Sequence, residues 1–271
     1  MLGFDEAHGG RKGKSVVLFG LLLAILLTGY SSSLAKAIPK QRESSQAERS
    51  YTEGLDRYKA KDYSGAIPLL QRALELEPEF EDAESYLGWS LYRIGRYPEA
   101  TLHFRQVILR QPGRAEAYDG LGWSRFQVNR YNLALAAFRQ ALALDPRHRD
   151  ARVGYAFSLF ELARYAEALP QLDRLIQEGE GTAPSRSLPD VEKVRARLAW
   201  ALFYLGDYRR AREQFLKGLE AQPDWAGLHN GLAWTFLRLG DRPQAMASFR
   251  RALELQPDFA DALDGLTQAG R

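Results

Sequence analysis

The stretch LGWSLYRIGRYPEATLHFRQVILRQP occupies residues 87–112, and LGWSRFQVNRYNLALAAFRQALALDP occupies residues 121–146. The second stretch begins 34 residues after the first and repeats its order of apolar, aromatic and small residues. The prolines that close such stretches keep the same spacing in two runs: Pro78, Pro112 and Pro146, then Pro223 and Pro257. A fixed period of this length indicates an array of structural repeats.

The pattern within residues 81–114 predicts two helices. Leu87 and Leu91 lie on the apolar side of a first helix, Gly95 breaks the pattern, and Pro98 stands where a second helix begins. One such pair cannot bury its own apolar face, so stability must come from neighbouring pairs that stack into a continuous core.

The recurring Leu-Gly-Trp, turn tyrosine, small residue, phenylalanine and closing proline resemble the tetratricopeptide repeat. The resemblance implies an all-α fold, a right-handed superhelical solenoid of antiparallel helix pairs. Four repeats fit residues 47–178, an inserted loop fits 179–190, and two more repeats fit 191–259. The units begin at Ala47, Glu81, Ala115, Arg149, Glu192 and Ala226, and places are counted from these residues.

Residues 260–271 have the apolar spacing of a helix that caps the last repeat. Ala262, Leu263 and Leu266 are expected to form its buried side, with Asp261 outside.

The N-terminal segment, residues 1–37, is typical of an export signal. Arg11, Lys12 and Lys14 precede an uncharged apolar run over 16–28, which is shorter than the ~20 residues that a membrane span needs. Two interpretations stay open, a signal peptide cleaved after Ala37 or a retained signal anchor. Both predict an exported chain, periplasmic or secreted, or anchored in the inner membrane and facing the periplasm. Residues 38–46 are predicted to be a polar linker.

Composition excludes several classes of function. The absence of cysteine excludes disulfides, thiolate chemistry and Cys-ligated zinc. The near balance of 37 Lys and Arg against 34 Asp and Glu gives no signature of nucleic-acid binding. The four histidines fall at unrelated places, and the glycines fall at repeat positions and turns. We therefore predict no catalytic residue, cofactor or metal, and a protein that is not an enzyme.

The candidate binding residues are aromatic and recur at two places of the first helix. The resemblance implies that these places line a concave groove in which such arrays bind their ligands. The ninth place holds Trp89, Trp123, Phe157, Trp200 and Trp234, and the twelfth holds Tyr92, Phe126, Phe160 and Phe203. The alternative is that the ninth-place rings pack between successive first helices and belong to the core.

If the rings are exposed, two partner classes follow. A protein partner would place a peptide or helix in the groove, which makes the chain a scaffold or adaptor of the bacterial envelope. The alternative is a module for exopolysaccharide synthesis or export, in which sugar rings stack on the aromatic residues. The polar residues expected to bind sugar hydroxyls are Asp82, Arg93, Glu116, Asp119, Asn230 and Arg238. Membrane association is expected only through the N-terminal segment, if it is uncleaved.

Overall fold

The computed structural model describes residues 45–179 and 191–271. The predicted leader, most of the linker and most of the inserted loop therefore lie outside the described residues. Within the described ranges the chain is helical and contains no β-strand, which confirms the all-α fold class. The first helix, α1, covers residues 45–59 and so includes two residues that the sequence pattern assigns to the linker. None of the helices in these ranges is long and apolar enough to cross a membrane.

The helices follow one another in pairs joined by short turns. They are α2 (Tyr63–Leu76), α3 (Glu81–Arg93), α4 (Tyr97–Arg110), α5 (Ala115–Gln127), α6 (Tyr131–Leu144), α7 (Arg149–Glu161), α8 (Tyr165–Gly179), α9 (Val191–Tyr204), α10 (Tyr208–Ala221), α11 (Ala226–Arg238), α12 (Arg242–Leu255) and α13 (Ala260–Ala269). The odd-numbered helices are the first helices of their repeats.

The turn inside each repeat has the same backbone geometry. A residue with φ between 56° and 84° stands at the fifteenth place of all six repeats, where it ends the first helix. In the second repeat, Arg96 N–H then bonds to Leu91 C=O at 2.8 Å, which satisfies a carbonyl at the helix end. The six residues with positive φ are Lys61, Gly95, Asn129, Ala163, Gly206 and Gly240.

The described part of the chain divides into two compact units, the first ending at Ala83 and the second beginning at Glu84. In the first unit, the Tyr51 ring lies 4.7 Å from the Phe80 ring. In the second unit, consecutive helices from α4 to α13 pack on each other. The first helices α5, α7, α9, α11 and α13 also contact one another in succession. This arrangement of helix pairs is a TPR-like solenoid.

The core of the second unit is built from phenylalanine rings that fill glycine slots. Phe138 of α6 is completely buried. A Cβ atom on Gly122 would lie 2.5 Å from this ring, and one on Gly154 of the following first helix would lie 2.2 Å from it. A side chain at either position would overlap the ring, so only glycine leaves the slot open. The same relation holds between Phe104 and Gly120, Phe215 and Gly231, and Phe249 and Gly265.

The fourth and fifth repeats depart from this rule. Leu172 replaces the phenylalanine of the fourth repeat, and Arg197 replaces the glycine of the fifth. The junction between α7 and α9 is therefore packed differently from the other junctions.

Helix α13 closes the array, with a buried side that differs from the expected one. Ala262 and Gly265 are buried, whereas Leu263 is 49% exposed. The reason is the Phe249 ring, which requires Gly265 against it and so fixes the orientation of α13. Asp261 is exposed, as expected, and it also accepts hydrogen bonds from Asn230 and Trp234 of α11.

Candidate binding face on the first helices

The candidate aromatic residues form chains of edge contacts that begin in the core. In the third repeat, the Trp123 ring lies 5.2 Å from the buried Phe138 ring and 5.6 Å from Phe126, and Phe126 lies 5.2 Å from Tyr131. The rings meet edge to face, the arrangement that aromatic quadrupoles favour. Equivalent chains are Phe104, Trp89, Tyr92 and Tyr97 in the second repeat, and Phe215, Trp200, Phe203 and Tyr208 in the fifth.

The nine candidate residues stand at the ninth and twelfth places of the first helices, and they differ in exposure. Phe157 is buried, at 5% exposure. The other eight are partly exposed: Trp89, Tyr92, Trp123, Phe126, Phe160, Trp200, Phe203 and Trp234. Each ninth-place tryptophan thus contacts a core ring and still reaches the surface. We call the surface formed by these eight residues the aromatic face; binding by this face stays a prediction.

A cavity of 370 Å³ opens at the irregular junction of the fourth, fifth and sixth repeats. We call it the anchor pocket. Its aromatic walls are Phe160 from α7, Trp200 from α9 and Trp225, the residue before α11. Lys193, Ala196, Arg197 and Gly227 complete the lining. The walls suit an apolar side chain, and two cationic residues border it.

Arg197 joins the pocket to the core. Its guanidinium carbon lies 3.8 Å from the centre of the Phe157 ring, a cation–π contact. Its Nη2 lies 3.4 Å from Glu161 Oε1, whereas its buried Nε–H has no acceptor within the described part of the chain. Burial lowers the pKa of Arg197, and the neighbouring Glu161 opposes this effect.

An exposed tyrosine extends the aromatic surface beside the pocket. Tyr204 is 54% exposed and stacks on Tyr165, with ring centres 4.6 Å apart and planes 15° apart. Its ring also lies 5.7 Å from Trp200 at 25°. A flat apolar surface therefore continues from the pocket to the turn of the fourth repeat.

Polar residues at the fifth place lie beside the tryptophans. In the sixth repeat, Asn230 Nδ2 donates to Asp261 Oδ2 at 2.6 Å, and Trp234 Nε1 donates to the same oxygen at 3.0 Å. In the third repeat the fifth place holds Asp119, which is 3% exposed and hydrogen-bonded by Trp123. Its Oδ1 has no hydrogen-bond partner in the described structure.

The surroundings of Asp119 disfavour its charged form. Burial raises the pKa of Asp119 well above its ordinary value, and the nearby carboxyl groups of Asp150 and Glu116 raise it further. Burial also raises the pKa of Asp150. Within the described residues no cation pairs with Asp119, whereas His148 and Arg149 interact electrostatically with Asp150.

Five of the seven residues that line the anchor pocket were not among the predicted binding residues: Lys193, Ala196, Arg197, Trp225 and Gly227. Trp225 stands at the last place of its repeat, and the available signal was the aromatic residue at the same place of two other repeats, Phe80 and Phe259. Arg197 carried no signal beyond the missing glycine at the sixth place.

We expect Asp119→Asn to stabilise the folded protein at neutral pH. Because the folded-state pKa of Asp119 is raised, the folded chain binds more protons than the unfolded chain above about pH 4, and its free energy of unfolding falls as pH rises. Asparagine has no charge to bury, so the variant should gain on the order of 1–3 kcal/mol at pH 7. Urea denaturation from pH 4 to pH 7 measures the difference; a gap that does not widen with pH would contradict this expectation.

Comparison with known proteins agrees with this architecture. Two family models described as tetratricopeptide repeat match the chain, one over residues 57–122 and 125–188 and the other over residues 196–263. The curated proteins include no match to the chain.

Solved structures show the same fold. The crystal structure of YrrB, described as a TPR protein with an unusual peptide-binding site, is 21% identical and has a TM-score of 0.62, with 73% of this chain and 97% of that chain covered. MamA from Desulfovibrio magneticus RS-1 is 18% identical with a TM-score of 0.59, covering 67% and 98%. The APC/C hetero-tetramer Cut9–Hcn1 is 19% identical with a TM-score of 0.66, covering 89% and 45%.

At these identities the likeness to solved structures concerns the fold alone. The family models, in contrast, match most of the chain, including helix pairs from the first repeat to the sixth. The chain belongs to the tetratricopeptide repeat family.

Proposed function

We propose that the chain is a non-enzymatic scaffold or adaptor that binds a protein partner on its aromatic face. The observation that carries the proposal is the anchor pocket, where Phe160, Trp200 and Trp225 surround a cavity of 370 Å³. Partly exposed tryptophans in a concave site are typical anchors of protein interfaces. The structural similarity to YrrB, a TPR protein with a peptide-binding site, supports the same class of ligand.

The pocket selects a peptide by shape and by polar contacts. An apolar side chain of the partner would fill the space between Trp200 and Trp225. The exposed ammonium of Lys193 would then favour a backbone carbonyl or a carboxylate next to that side chain.

The pocket is held in place before a partner arrives. The Trp200 ring rests on the fully buried Phe215 at 5.4 Å and on Phe203 at 5.3 Å, so its orientation is fixed by the core. A preformed pocket reduces the entropy that is lost on binding.

We expect Trp200→Ala to weaken peptide binding by about ten- to a hundredfold, because a hot-spot side chain contributes ~2 kcal/mol or more. A heptapeptide library displayed on phage would be selected on the full-length chain, and the best peptide measured by calorimetry. Lys193→Glu tests the polar rim without removing a wall of the pocket. The matched control is Leu216→Ala, an exposed apolar residue of α10 that is 42% accessible.

Three outcomes would contradict the proposal. They are a selection that yields no peptide, a peptide that binds Trp200→Ala as tightly as the unaltered chain, and a peptide that loses as much affinity in Leu216→Ala. Circular dichroism of each variant shows whether the helical content is retained.

The polysaccharide alternative rests on Tyr204, whose exposed ring is flat and stacked on Tyr165. The concave aromatic walls and charged rim of the anchor pocket favour a peptide instead. Titration with dextran and polygalacturonate, followed by tryptophan fluorescence, separates the two. A saturable change with either polymer that disappears in Tyr204→Ala would favour the sugar ligand.

No turnover is part of the proposed function. The described residues contain no group of three or more His, Cys, Asp or Glu that could hold a metal ion. A scaffold that acts by binding needs neither a metal nor a cofactor.

We also propose that the chain acts outside the cytoplasm, in the bacterial envelope. The basic and then apolar sequence of residues 11–28 supports this location. Fusing residues 1–46 to alkaline phosphatase in a bacterial host tests it, since that reporter requires export for activity. An inactive fusion would contradict the proposed location.

A further inference from the structure

The ionisable side chains that are buried in the described part of the chain have a charged partner, with one exception. A charged group removed from water needs a counter-ion or hydrogen bonds, because an unpaired buried charge is strongly destabilising. Three residues under 10% exposed have a partner: Arg152 pairs with Glu178 at 2.8 Å, Arg195 with Glu192 at 3.2 Å, and Glu84 with His103 at 2.8 Å.

Asp119 of α5 is the exception. Its side chain is 97% removed from solvent, yet no cation pairs with it within residues 45–179 and 191–271, and Oδ1 has no donor. The charged groups that act on it electrostatically are Asp150 of α7 and Glu116 of α5, both carboxylates. His148 and Arg149 interact electrostatically with Asp150 and lower its pKa. Neither of them acts on Asp119.

An equivalent place in the sixth repeat shows what is missing. There Asn230 occupies the fifth place, and its amide donates to the second-place carboxylate of the next helix, Asp261, at 2.6 Å. At the junction of the third and fourth repeats the same two places hold Asp119 and Asp150. The two carboxyl groups interact electrostatically, and Asp119 Oδ1 has no donor within the described residues.

The neighbouring indole ring favours a cation as that donor. Trp123 hydrogen-bonds to Asp119 through its side chain, and its ring is partly exposed on the aromatic face. A ligand that approaches along this face would therefore meet the partly exposed Trp123 ring first, with the buried Asp119 carboxyl behind it. An ammonium or guanidinium group could pair with the carboxylates and lie against the ring.

We propose that Asp119 and Asp150, together with the ring of Trp123, form a site for one lysine or arginine side chain of the bound peptide. This inference rests on the proposed function, because it places the basic residue of the same peptide one repeat away from the anchor pocket. It adds a charge requirement to a ligand that the anchor pocket selects mainly by its apolar side chain.

The test compares three capped pentapeptides of sequence Ala-Leu-X-Leu-Ala, in which X is lysine, acetyl-lysine or norleucine. Calorimetry with the full-length chain should show the lysine peptide binding at least about tenfold more tightly than the other two, as expected for a hydrogen-bonded charge pair. In Asp119→Asn the preference should fall below about twofold. Since that variant is expected to be more stable, lost affinity there does not come from unfolding.

The control is Glu213→Gln, which removes one exposed carboxylate from α10 without touching the aromatic face. It should keep the full preference for lysine. A preference retained in Asp119→Asn, lost equally in Glu213→Gln, or absent from the unaltered chain would overturn the inference. So would failure of the lysine peptide to bind at millimolar concentration.

Failure of this inference is distinguishable from failure of the proposed function. If the three peptides bind equally and all lose affinity in Trp200→Ala, the aromatic face binds peptides without a lysine site. If the phage selection also yields no peptide, both proposals fail.

Discussion

Replacing Phe138 with alanine is expected to lower the free energy of unfolding by about 3–5 kcal/mol, the range for a large-to-small change in a close-packed core. The ring is completely buried and fills slots on two first helices, at Gly122 and at Gly154. Its removal leaves a cavity that neither backbone can close, and Trp123 loses its contact at 5.2 Å. The repeats on either side of the ring should then separate more easily.

Urea denaturation followed by circular dichroism measures this change. Leu133→Ala is the matched control, since Leu133 belongs to the same helix and is 51% exposed. The control should stay within about 0.5 kcal/mol of the unaltered chain. A loss below about 1 kcal/mol for Phe138→Ala would show that the ring does not couple the repeats.

The reverse change, Gly154→Val, is expected to cost about 3 kcal/mol through overpacking. A Cβ atom at this position would lie 2.2 Å from Phe138 Cζ, well inside van der Waals contact. Valine gains a few tenths of a kcal/mol in helix propensity over glycine, which is small beside the steric conflict. The Phe138 ring lies in a full core and cannot move aside.

A second substitution shows whether the conflict is the cause. With Phe138→Leu in the same chain, the shorter side chain should relieve the overlap. The double variant should therefore lose less free energy of unfolding than the sum of the two single-variant losses, by at least about 0.5 kcal/mol. Gly113→Val is the control, because no atom lies within 4 Å of a Cβ placed there. Strict additivity, or an equal loss in the control, would contradict the slot model.

The sequence predicts the fold because the residues that recur in each repeat are those whose size or backbone conformation the packing of the helices requires. Phenylalanine recurs after 34 residues at the place of Phe138 in two pairs of repeats, Phe104 with Phe138 and Phe215 with Phe249. Glycine or asparagine stands at the positive-φ fifteenth place in four of the six repeats. A period with these features admits one class of fold, stacked helix pairs. The sixth-place glycines were harder to interpret, since a lone glycine in a helix pattern does not show which ring it accommodates.

The anchor pocket is harder to predict from the sequence, because it lies at the junction where the repeat lacks its usual phenylalanine and glycine. Leu172 and Arg197 replace the phenylalanine and glycine of the regular junction. The repeat signature does not predict that this replacement is accompanied by a cavity. The contribution of Trp225 depends on three helices meeting at one place. Likewise, the sequence does not show that Asp119 lies beside Asp150 of α7 and has an oxygen without a donor.

Stability and recognition share the same side chains in this account. Trp123 and Trp200 each rest on a buried phenylalanine of their own repeat and reach the aromatic face with the rest of the ring. The core therefore orients the residues that contact a partner. Variants at Phe138 or Phe215 should weaken both properties, whereas Asp119→Asn should strengthen one and weaken the other.

The most direct test of peptide binding on the aromatic face uses the tryptophans themselves. The chain has five of them, and all belong to this face or to the anchor pocket: Trp89, Trp123, Trp200, Trp225 and Trp234. Fluorine NMR of the 5-fluorotryptophan-labelled chain, assigned by single tryptophan-to-phenylalanine variants, follows each ring during titration with the selected peptide. The account predicts that the resonances of Trp200 and Trp225 shift together and saturate at one equivalent; a peptide that binds while both stay unchanged would contradict it.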